Sequence, residues 1–466
     1  MIRRLCVLTL LVLVLPAAGQ DKPLARVAFG SCSDQERPVP IFDKIADLRP
    51  DLYLAMGDNI YADLKPEAGL SEMASLKRKY EKLADVPGWQ RLTKTCSVLA
   101  TWDDHDYGKN DVGAEYPHKD ESQQLFLDFF GVPKDSPRRA QKGVFNAAIF
   151  GPEGKRVQVI LLDLRYFRSP LKKADRPAPG TRTRPYLPNT EPGVTMLGSE
   201  QWAWLEAQLN RPAELRLLVS SIQVVPDEHI HEKWANLPAE RDRLYKLLRD
   251  TMASGVVILS GDRHMAEISM DPKAIDYPLY DVTSSGLNQG SLVWRVPEAN
   301  RYRVGTMTHG DNFGLLTVDW SAADPVVSLQ VRDVDGEITL KDTVPLSLLR
   351  PGSRAVAALP HKPGPGSISP RDALKKMGEK VVVEMKVQAT GRPKTGQRFF
   401  LNSEKDYRSD LNLTVVVNAG ALTGKWAQAT PDTFKDKIIR VTGTVSDFRG
   451  SPQVLVDDPA QLEFVE

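Results

Sequence analysis

Short clusters of ligand-type side chains recur along this chain, each directly after an apolar run of strand length. Arg26-Val27-Ala28-Phe29-Gly30-Ser31 ends in Cys32, and Leu52-Tyr53-Leu54-Ala55-Met56-Gly57 ends in Asp58, with Tyr61 close behind. Val98 to Trp102 runs into Asp103, Asp104, His105 and Asp106; Leu215 to Ser221 is followed by Gln223; Val256 to Ser260 leads into Gly261, Asp262, Arg263 and His264. A thiolate, a phenolate, carboxylates and an imidazole form a mixed donor set, suited to a trivalent ion such as iron beside an oxygen-loving divalent ion. Two such ions bridged by one carboxylate, for which Asp58 is the candidate, would clamp a phosphoryl oxygen and make hydroxide from water near neutral pH. Taken singly, each cluster has an ordinary reading, since an Asp after a strand commonly caps a helix or forms a turn.

For these residues to meet, their strands must deliver their ends to one rim, as the parallel strands of α/β sheets do. The intervening segments supply helices: Pro40 to Leu48, the amphipathic Leu70 to Ala84, Ser199 to Asn210 with Ser199 as N-cap, and Pro238 to Ser254. Gly143 to Phe150 and Val157 to Asp163 read as paired strands around a Gly-Pro-Glu-Gly turn, with Arg165 and Arg168 just beyond. Strand and helix alternation from Arg26 to His264 predicts α/β layers rather than an all-β sandwich. After Tyr277 the pattern turns β-rich, through Leu279–Ser284, Phe313–Trp320, Val326–Val331 and Ile338–Val344, enough to complete a second sheet. Lys172 to Val194, rich in Pro, Arg and Thr, reads as a surface loop long enough to border a substrate. His229 and His231 lie on a polar loop that no strand end presents, and are expected to face solvent.

At 466 residues the chain calls for two or three units. Arg350 to Pro370 is dense in Pro, Gly and Ser and reads as a linker between residues 20–349 and 371–466. The second unit has five strand-like segments, Lys380–Val387, Arg398–Leu401, Leu413–Val417, Ile438–Val445 and Gln453–Val456, with a helix near Asp432. That pattern suggests a small all-β barrel of the oligonucleotide/oligosaccharide-binding (OB) type. Its Phe399, Phe400, Tyr407 and Trp426 are either a stacking surface or core packing. The formal net charge is +1, and acidic and basic side chains nearly balance in the tail, so no nucleic-acid partner is expected.

Residues 1–19 combine Arg3 and Arg4, an apolar run from Leu5 to Leu15, Pro16, and small residues Ala17, Ala18 and Gly19. This is the layout of a secretory signal peptide, and the run is short of the ~20 residues a spanning helix needs. The mature protein is therefore expected to be exported, periplasmic or extracellular, without an integral membrane segment. Cys32 and Cys96 would be its only cysteines. They would form a disulfide in an oxidising compartment, unless Cys32 is a metal ligand, the reading its position at a strand end favours.

The spacing Gly57-Asp58-x-x-Tyr61, then Trp102-Asp103-Asp104-His105-Asp106, then Gly261-Asp262-Arg263-His264 resembles the PhoD-like alkaline phosphatase D family of calcineurin-like metallophosphoesterases. Phe29-Gly30-Ser31-Cys32, Leu162-Asp163-Leu164-Arg165-Tyr166, Glu240-Arg241 and Ser285-Gly286-Leu287 support the resemblance, which covers roughly Leu24 to Leu349. It implies a four-layer αββα sandwich, hydrolysis of phosphate mono- or diesters, and a dinuclear centre of Fe(III) and Ca2+. By the same resemblance Cys32, Tyr61 and His264 hold the iron, Asp58 bridges, and Asp104 and Asp262 serve the second ion. Gln223 stands where relatives carry a ligating His, Cys32 replaces the first-strand Asp-x-His of the wider superfamily, and Asp104 stands where many relatives carry Asn. His105 would contact the scissile phosphate and protonate the leaving group. Asn110 and Arg165 would hold phosphate, or are structural polar contacts.

Two functions compete at this point. One is an exported dinuclear metal phosphoesterase using a metal-activated hydroxide; whether it prefers monoesters or diesters depends on pocket width. The other is a secreted, non-catalytic binding protein on a phosphoesterase scaffold, gripping a polymer or partner with its barrel.

Overall fold

A computed structural model describes residues 22–291, 298–353, 363–364, 366–392, 398–404, 407, 409, 411–423, 426–427, 429–448 and 451–465. The leader-like residues 1–19 lie outside the described residues, as do 354–362 and 365 of the expected linker.

The fold is mixed α/β with several sheets. A six-stranded sheet runs in the order Ile338–Pro345, Val326–Asp333, Asn312–Asp319, Arg26–Gly30, Leu52–Met56, Ser97–Thr101. Its last three strands are parallel, with Phe29 opposite Leu54 and Leu54 opposite Leu99. A seven-stranded sheet runs Arg303–Thr308, Ala266–Asp271, Leu279–Ser284, Val256–Ser260, Leu215–Ser220, Val157–Leu161, Asn146–Phe150. Its four strands from Leu279–Ser284 to Val157–Leu161 are parallel. The Ala266–Asp271 and Arg303–Thr308 strands, and the helices Pro87–Thr95 and Lys119–Phe129, were not apparent in the sequence pattern.

Because successive side chains of a strand point to opposite faces, each sheet can feed two cores. Val27, Phe29, Leu52, Leu54 and Met56 from the first sheet join Val159, Leu161, Leu217, Val257 and Leu259 from the second in one core. The alternate residues Ala28, Tyr53 and Ala55 face a separate core, built with Ile41, Phe42, Leu76, Leu83, Trp89 and Phe126 of the neighbouring helices. Trp202, Leu205, Leu244 and Leu248 bring the helices Gly198–Leu209 and Pro238–Asp250 against the second sheet. Ser199 is not the N-cap of the first of these: the helix begins at Gly198, capped from Leu197 without a side-chain bond.

The C-terminal ends of the parallel strands in both sheets reach the same rim. There Ser31 and Ser285 form an isolated parallel bridge that ties the first sheet to the second. Two glycines permit this closeness. A Cβ on Gly57, whose φ is +102°, would meet Asp103 Cβ at 2.6 Å, and one on Gly261 would meet Ser31 Oγ at 2.4 Å.

The C-terminal residues have their own core of Val383, Leu401, Val415, Val441, Val454, Trp426 and Phe434. Its sheet has seven strands rather than the expected five, adding Ala389–Gly391 and Leu462–Phe464. Among the described residues the pairing path is open, running from Lys380–Lys386 through Ile438–Phe448, Ser451–Val456, Thr414–Asn418 and Arg398–Asn402 to Ala389–Gly391. The unit begins inside the expected linker, where Ile368 bridges Val383 and the Gly364 N–H donates to Glu384. Phe399 and Trp426 are buried in this core, whereas Tyr407 is exposed. No helix among the described residues is long and apolar enough to cross a membrane.

Candidate metal centre

The ligand candidates follow closely on strand ends, Cys32, Asp58 and Asp262 two residues past, Asp104 three, His264 four and Tyr61 five, where the chain turns sharply. Cys32, Asp58, Asp262 and His264 all have positive φ, at 65°, 50°, 68° and 52°. Non-glycine residues rarely adopt this conformation, and its clustering at one rim is typical of sites where geometry is held against local preference. The turns are held by the Cys32 N–H donating to the Gly57 carbonyl and the Ser33 N–H donating to that of Asp58. Asp106 holds the next one: its carboxylate accepts the N–H groups of Asp58, Asn59 and Asp103 and the Asn59 side-chain amide.

Within this frame, Cys32 Sγ lies 3.5 Å from Asp58 Oδ2, and the Tyr61 hydroxyl is 3.3 Å from the same oxygen. Tyr61 and His264 Nε2 are 2.9 Å apart. Ser285 Oγ completes this side, 3.1 Å from Cys32 Sγ and accepting the His264 N–H at 2.9 Å. On the other side of Asp58, its Oδ1 accepts the His105 N–H, and Asp104 accepts the N–H groups of His105 and Asp111. Three donor sets result, each with its ligand atoms within 4.8 Å of one another: Cys32, Asp58 and His264; Asp58, Asp104 and His105; Asp103, Asp104 and Asp262. The sets overlap at Asp58 and Asp104.

The electrostatics of this rim call for cations. Burial, then the neighbouring Asp104 and Cys32, pushes the Asp58 carboxyl well above the usual range; burial and Asp103 do the same to Asp262. Burial also pushes the Cys32 thiol up to about 11 and the Tyr61 phenol above its ordinary value. A cation beside these groups reverses each preference, stabilising thiolate, phenolate and carboxylate together. His264 is already suited to ligation, because burial and the nearby His105 and Arg263 hold it down to about 4, leaving the imidazole neutral. His105 differs: although burial opposes it, Asp104, Asp58 and the hydrogen bond to Asp63 push it up to about 11.

Several sequence expectations need correction. Gln223 gives its amide N–H groups to Glu267 Oε1 at 2.9 Å and Thr283 Oγ1 at 2.8 Å, while its amide oxygen, the atom that would ligate a metal, is buried without a hydrogen-bond partner among the described residues. Arg165 is fully buried and engaged by two carboxylates, donating to Asp103 Oδ1 at 2.6 Å and Glu232 Oε2 at 2.9 Å. It braces the Asp103 turn rather than lining an open pocket. Asn110 is exposed, and its backbone N–H donates to Asp63. His229, expected in solvent, is buried. Cys32 and Cys96 are both free thiols, so no disulfide removes Cys32 from the rim.

The residues that sequence reasoning passed over are mostly second partners. Asp63 accepts from His105 Nδ1 at 2.6 Å, Ser285 joins Cys32 to His264, and Asp106 fixes two turns at once. Ser285 and Asp106 stood in motifs already singled out, Ser285 directly after the Leu279–Ser284 strand and Asp106 in the run that follows Trp102. The Lys172–Val194 segment carries a small pair of strands, and its Tyr186 hydroxyl bonds Asp111, one contact removed from Asp104.

The model of the PhoD-like phosphatase family matches residues 27–281, which include every ligand candidate from Cys32 to His264. The chain belongs to this family. Alkaline phosphatase D of Bacillus subtilis (strain 168) is 22% identical over 283 residues, which cover 54% of this chain and 47% of that protein. The chain thus spans about half the length of the curated relative it matches. A solved structure of PhoD superposes with a TM-score of 0.54 at 17% identity, covering 71% of this chain and 70% of that one. At that identity the likeness is one of fold.

Proposed function

We propose that this PhoD-like chain is an exported dinuclear metal phosphoesterase that hydrolyses phosphate mono- or diesters. The observation that carries the reading is the sharing of Asp58 between two groups of different chemistry, one with the Cys32 thiol and the His264 imidazole, the other with the Asp104 carboxylate, where the neighbouring His105 serves as proton donor and not as ligand. Fe(III) suits the side with Cys32, Tyr61 and His264, and Ca2+ suits the carboxylate side with Asp104 and Asp262. Bound there, the ions would supply Lewis-acid clamping of a phosphoryl oxygen and a nucleophilic hydroxide at neutral pH.

The chain's own residues do the rest. Without cations this rim of buried carboxylates repels a phosphate ester, so ligand charge sets when substrate can bind. His105 is held by Asp63 at Nδ1, which leaves Nε2 as the nitrogen from which a leaving oxygen can be protonated. Asn110, exposed beside Asp63, is the remaining substrate-contact candidate. In this reading residues 20–349 form a four-layer αββα phosphoesterase unit after a cleaved leader at 1–19. The Pro- and Gly-rich stretch from residue 350 leads into an OB-like unit that takes in Gly364 and Ile368 and runs on through 371–466, and the mature chain lies in the periplasm or outside the cell.

The test is hydrolysis of an aryl phosphate monoester and its matching diester by the mature protein, with iron and calcium supplied, beside Asp58→Asn. Wild-type turnover that falls by roughly 10²-fold or more in the variant supports the reading. Turnover that survives Asp58→Asn, or protein that binds neither iron nor calcium, sinks it.

A further inference from the structure

The segment from Lys172 to Val194 offers no ligand to the centre, yet it sets one buried side chain against a turn that serves it. Its strands Lys172–Lys173 and Tyr186–Leu187 pair with each other, and of these four residues Tyr186 alone is buried. The Tyr186 N–H donates to the Ile230 carbonyl at 2.9 Å, and the Lys173 ammonium lies 4.9 Å over its ring. With backbone and ring both held, the phenol has a fixed direction. Its hydroxyl donates to Asp111 Oδ2.

Asp111 is where this contact acts. After the short helix Asp104–Tyr107 the chain doubles back, and two successive N–H groups of the return meet two carboxylates of the centre. The Asn110 N–H donates to Asp63 Oδ2 at 3.0 Å, and the Asp111 N–H donates to Asp104 Oδ2 at 2.6 Å. The other oxygen of Asp104 accepts the His105 N–H at 2.9 Å, so Asp111 supplies a hold on this carboxylate from outside its own helix. Asp111 has φ +59°, a conformation that a non-glycine residue keeps where its neighbours hold it. Two side chains do so. Arg168 donates to the Asp111 carbonyl at 2.5 Å, and Tyr186 takes its carboxylate. Arg168 is itself buried and paired with Glu232 at 3.1 Å. With carbonyl and carboxylate pinned from two elements, the N–H of Asp111 is left aimed at Asp104.

We propose that Tyr186 is a positioning residue for the second cation: through Asp111 it sets the orientation of the Asp104 carboxylate, and with it how tightly that ion is held. The proposal rests on the assignment of Asp104 to the divalent ion in the phosphoesterase reading. Partners that orient a ligand without touching the metal commonly contribute at least about tenfold to its affinity. The Lys172–Val194 segment thereby acts on the centre through a hydroxyl two hydrogen bonds away from the ligand.

The test is calorimetric titration of Ca2+ into the iron-loaded protein, wild type beside Tyr186→Phe, which removes the hydroxyl and keeps the ring. The variant should retain its full iron content, because Cys32, Tyr61 and His264 are untouched, and bind Ca2+ about tenfold more weakly. Asp111→Gly keeps the left-handed turn and the N–H but lacks the carboxylate. In that background Tyr186→Phe should cost nothing further, because the hydroxyl has lost the group it acts through. Calcium affinity that is unchanged or raised in Tyr186→Phe overturns the proposal, even if Tm falls, since Tyr186 would then only anchor its own segment. An undiminished loss in the Asp111→Gly background overturns it as well. The readout is binding and not turnover, so protein that binds both ions but hydrolyses no ester still decides the role of Tyr186 while the enzymatic reading falls. Wild type that takes up iron but no Ca2+ overturns the dinuclear reading and this proposal together.

Discussion

The Tyr61 hydroxyl and His264 Nε2 lie 2.9 Å apart although 203 residues separate them in sequence. One comes from the turn after the Leu52–Met56 strand of the first sheet, the other from the turn after Val256–Ser260 of the second. Their meeting is therefore a report on how the two sheets are joined at the Ser31–Ser285 bridge. With Cys32 and Asp58 they surround one point, and a phenolate on Fe(III) gives a charge-transfer band in the visible. We predict that Tyr61→Phe, loaded with iron, loses that absorption and at least about tenfold in activity. Because a Cys32 thiolate on the same ion would also absorb in the visible, a spectrum unchanged in position and intensity, rather than retained colour alone, places the phenol outside the coordination sphere.

Asp63 fixes His105 from the side away from Asp58. It accepts from Nδ1 at 2.6 Å, and its second oxygen accepts the Asn110 N–H at 3.0 Å. Asp63→Ala frees the ring, and kcat should fall by about 10²-fold, the low end of what a positioned general acid supplies, while KM changes little. Asp63→Asn, which still accepts a hydrogen bond, should fall less. If the alanine variant instead raises KM alone, Asp63 acts on substrate binding and not through His105.

Much of this arrangement could be read in advance, and the limits are physical. Strands such as Leu52–Met56 and Val256–Ser260 are buried on both faces, so they appear as unbroken apolar runs that end abruptly at Gly57 and Gly261. The side chains after those breaks are conspicuous, and Cys32, Asp58, Tyr61, Asp104, His105, Asp262 and His264 do gather. Gln223 and Arg165 both give their N–H groups to buried acids, and for Arg165 this is the structural polar contact that the sequence left open beside phosphate binding. A polar residue past a strand end can face the rim or turn inward, and buried acids decided the matter: Glu267 drew Gln223, while Asp103 and Glu232 drew Arg165. Ala266–Asp271 escaped notice because its apolar residues are interrupted by Glu267 and Ser269, both buried. Asp63 sits in a loop where acids are common, and Asp106 in the short helix Asp104–Tyr107, where an acid in the first turn is ordinary, so only their partners reveal their roles.

This placement of Arg165 has a measurable consequence. Its guanidinium is enclosed with Asp103 and Glu232, all three almost wholly removed from water, and Arg168 lies beside Glu232 at 3.1 Å. Removing one member leaves uncompensated buried charge, so Arg165→Ala should lose about 3–5 kcal/mol of stability by denaturant unfolding. Arg165→Lys should recover only part of this, because an ammonium cannot serve both carboxylates in the same plane. A residue that merely held phosphate would raise KM and leave the unfolding curve in place.

Glu298 gives a prediction about acid. Burial alone would raise its carboxyl, but hydrogen bonds from His231 and Arg263, with the charge of Arg263, bring it down from 4.5 to about 2. A carboxyl depressed on folding stabilises the native state above its unfolded pKa, and that contribution disappears as pH falls through the folded one. The window is therefore about pH 4.5 down to about 2, and the full contribution is at most roughly 3 kcal/mol. Glu298→Gln cannot titrate. The difference in unfolding free energy between wild type and Glu298→Gln should be constant above about pH 4.5 and shrink steadily below it. A difference that stays flat to pH 3 would mean that Arg263 and His231 are held by other partners, and that Glu298 is not what joins the His229 loop to the segment carrying Asp262 and His264.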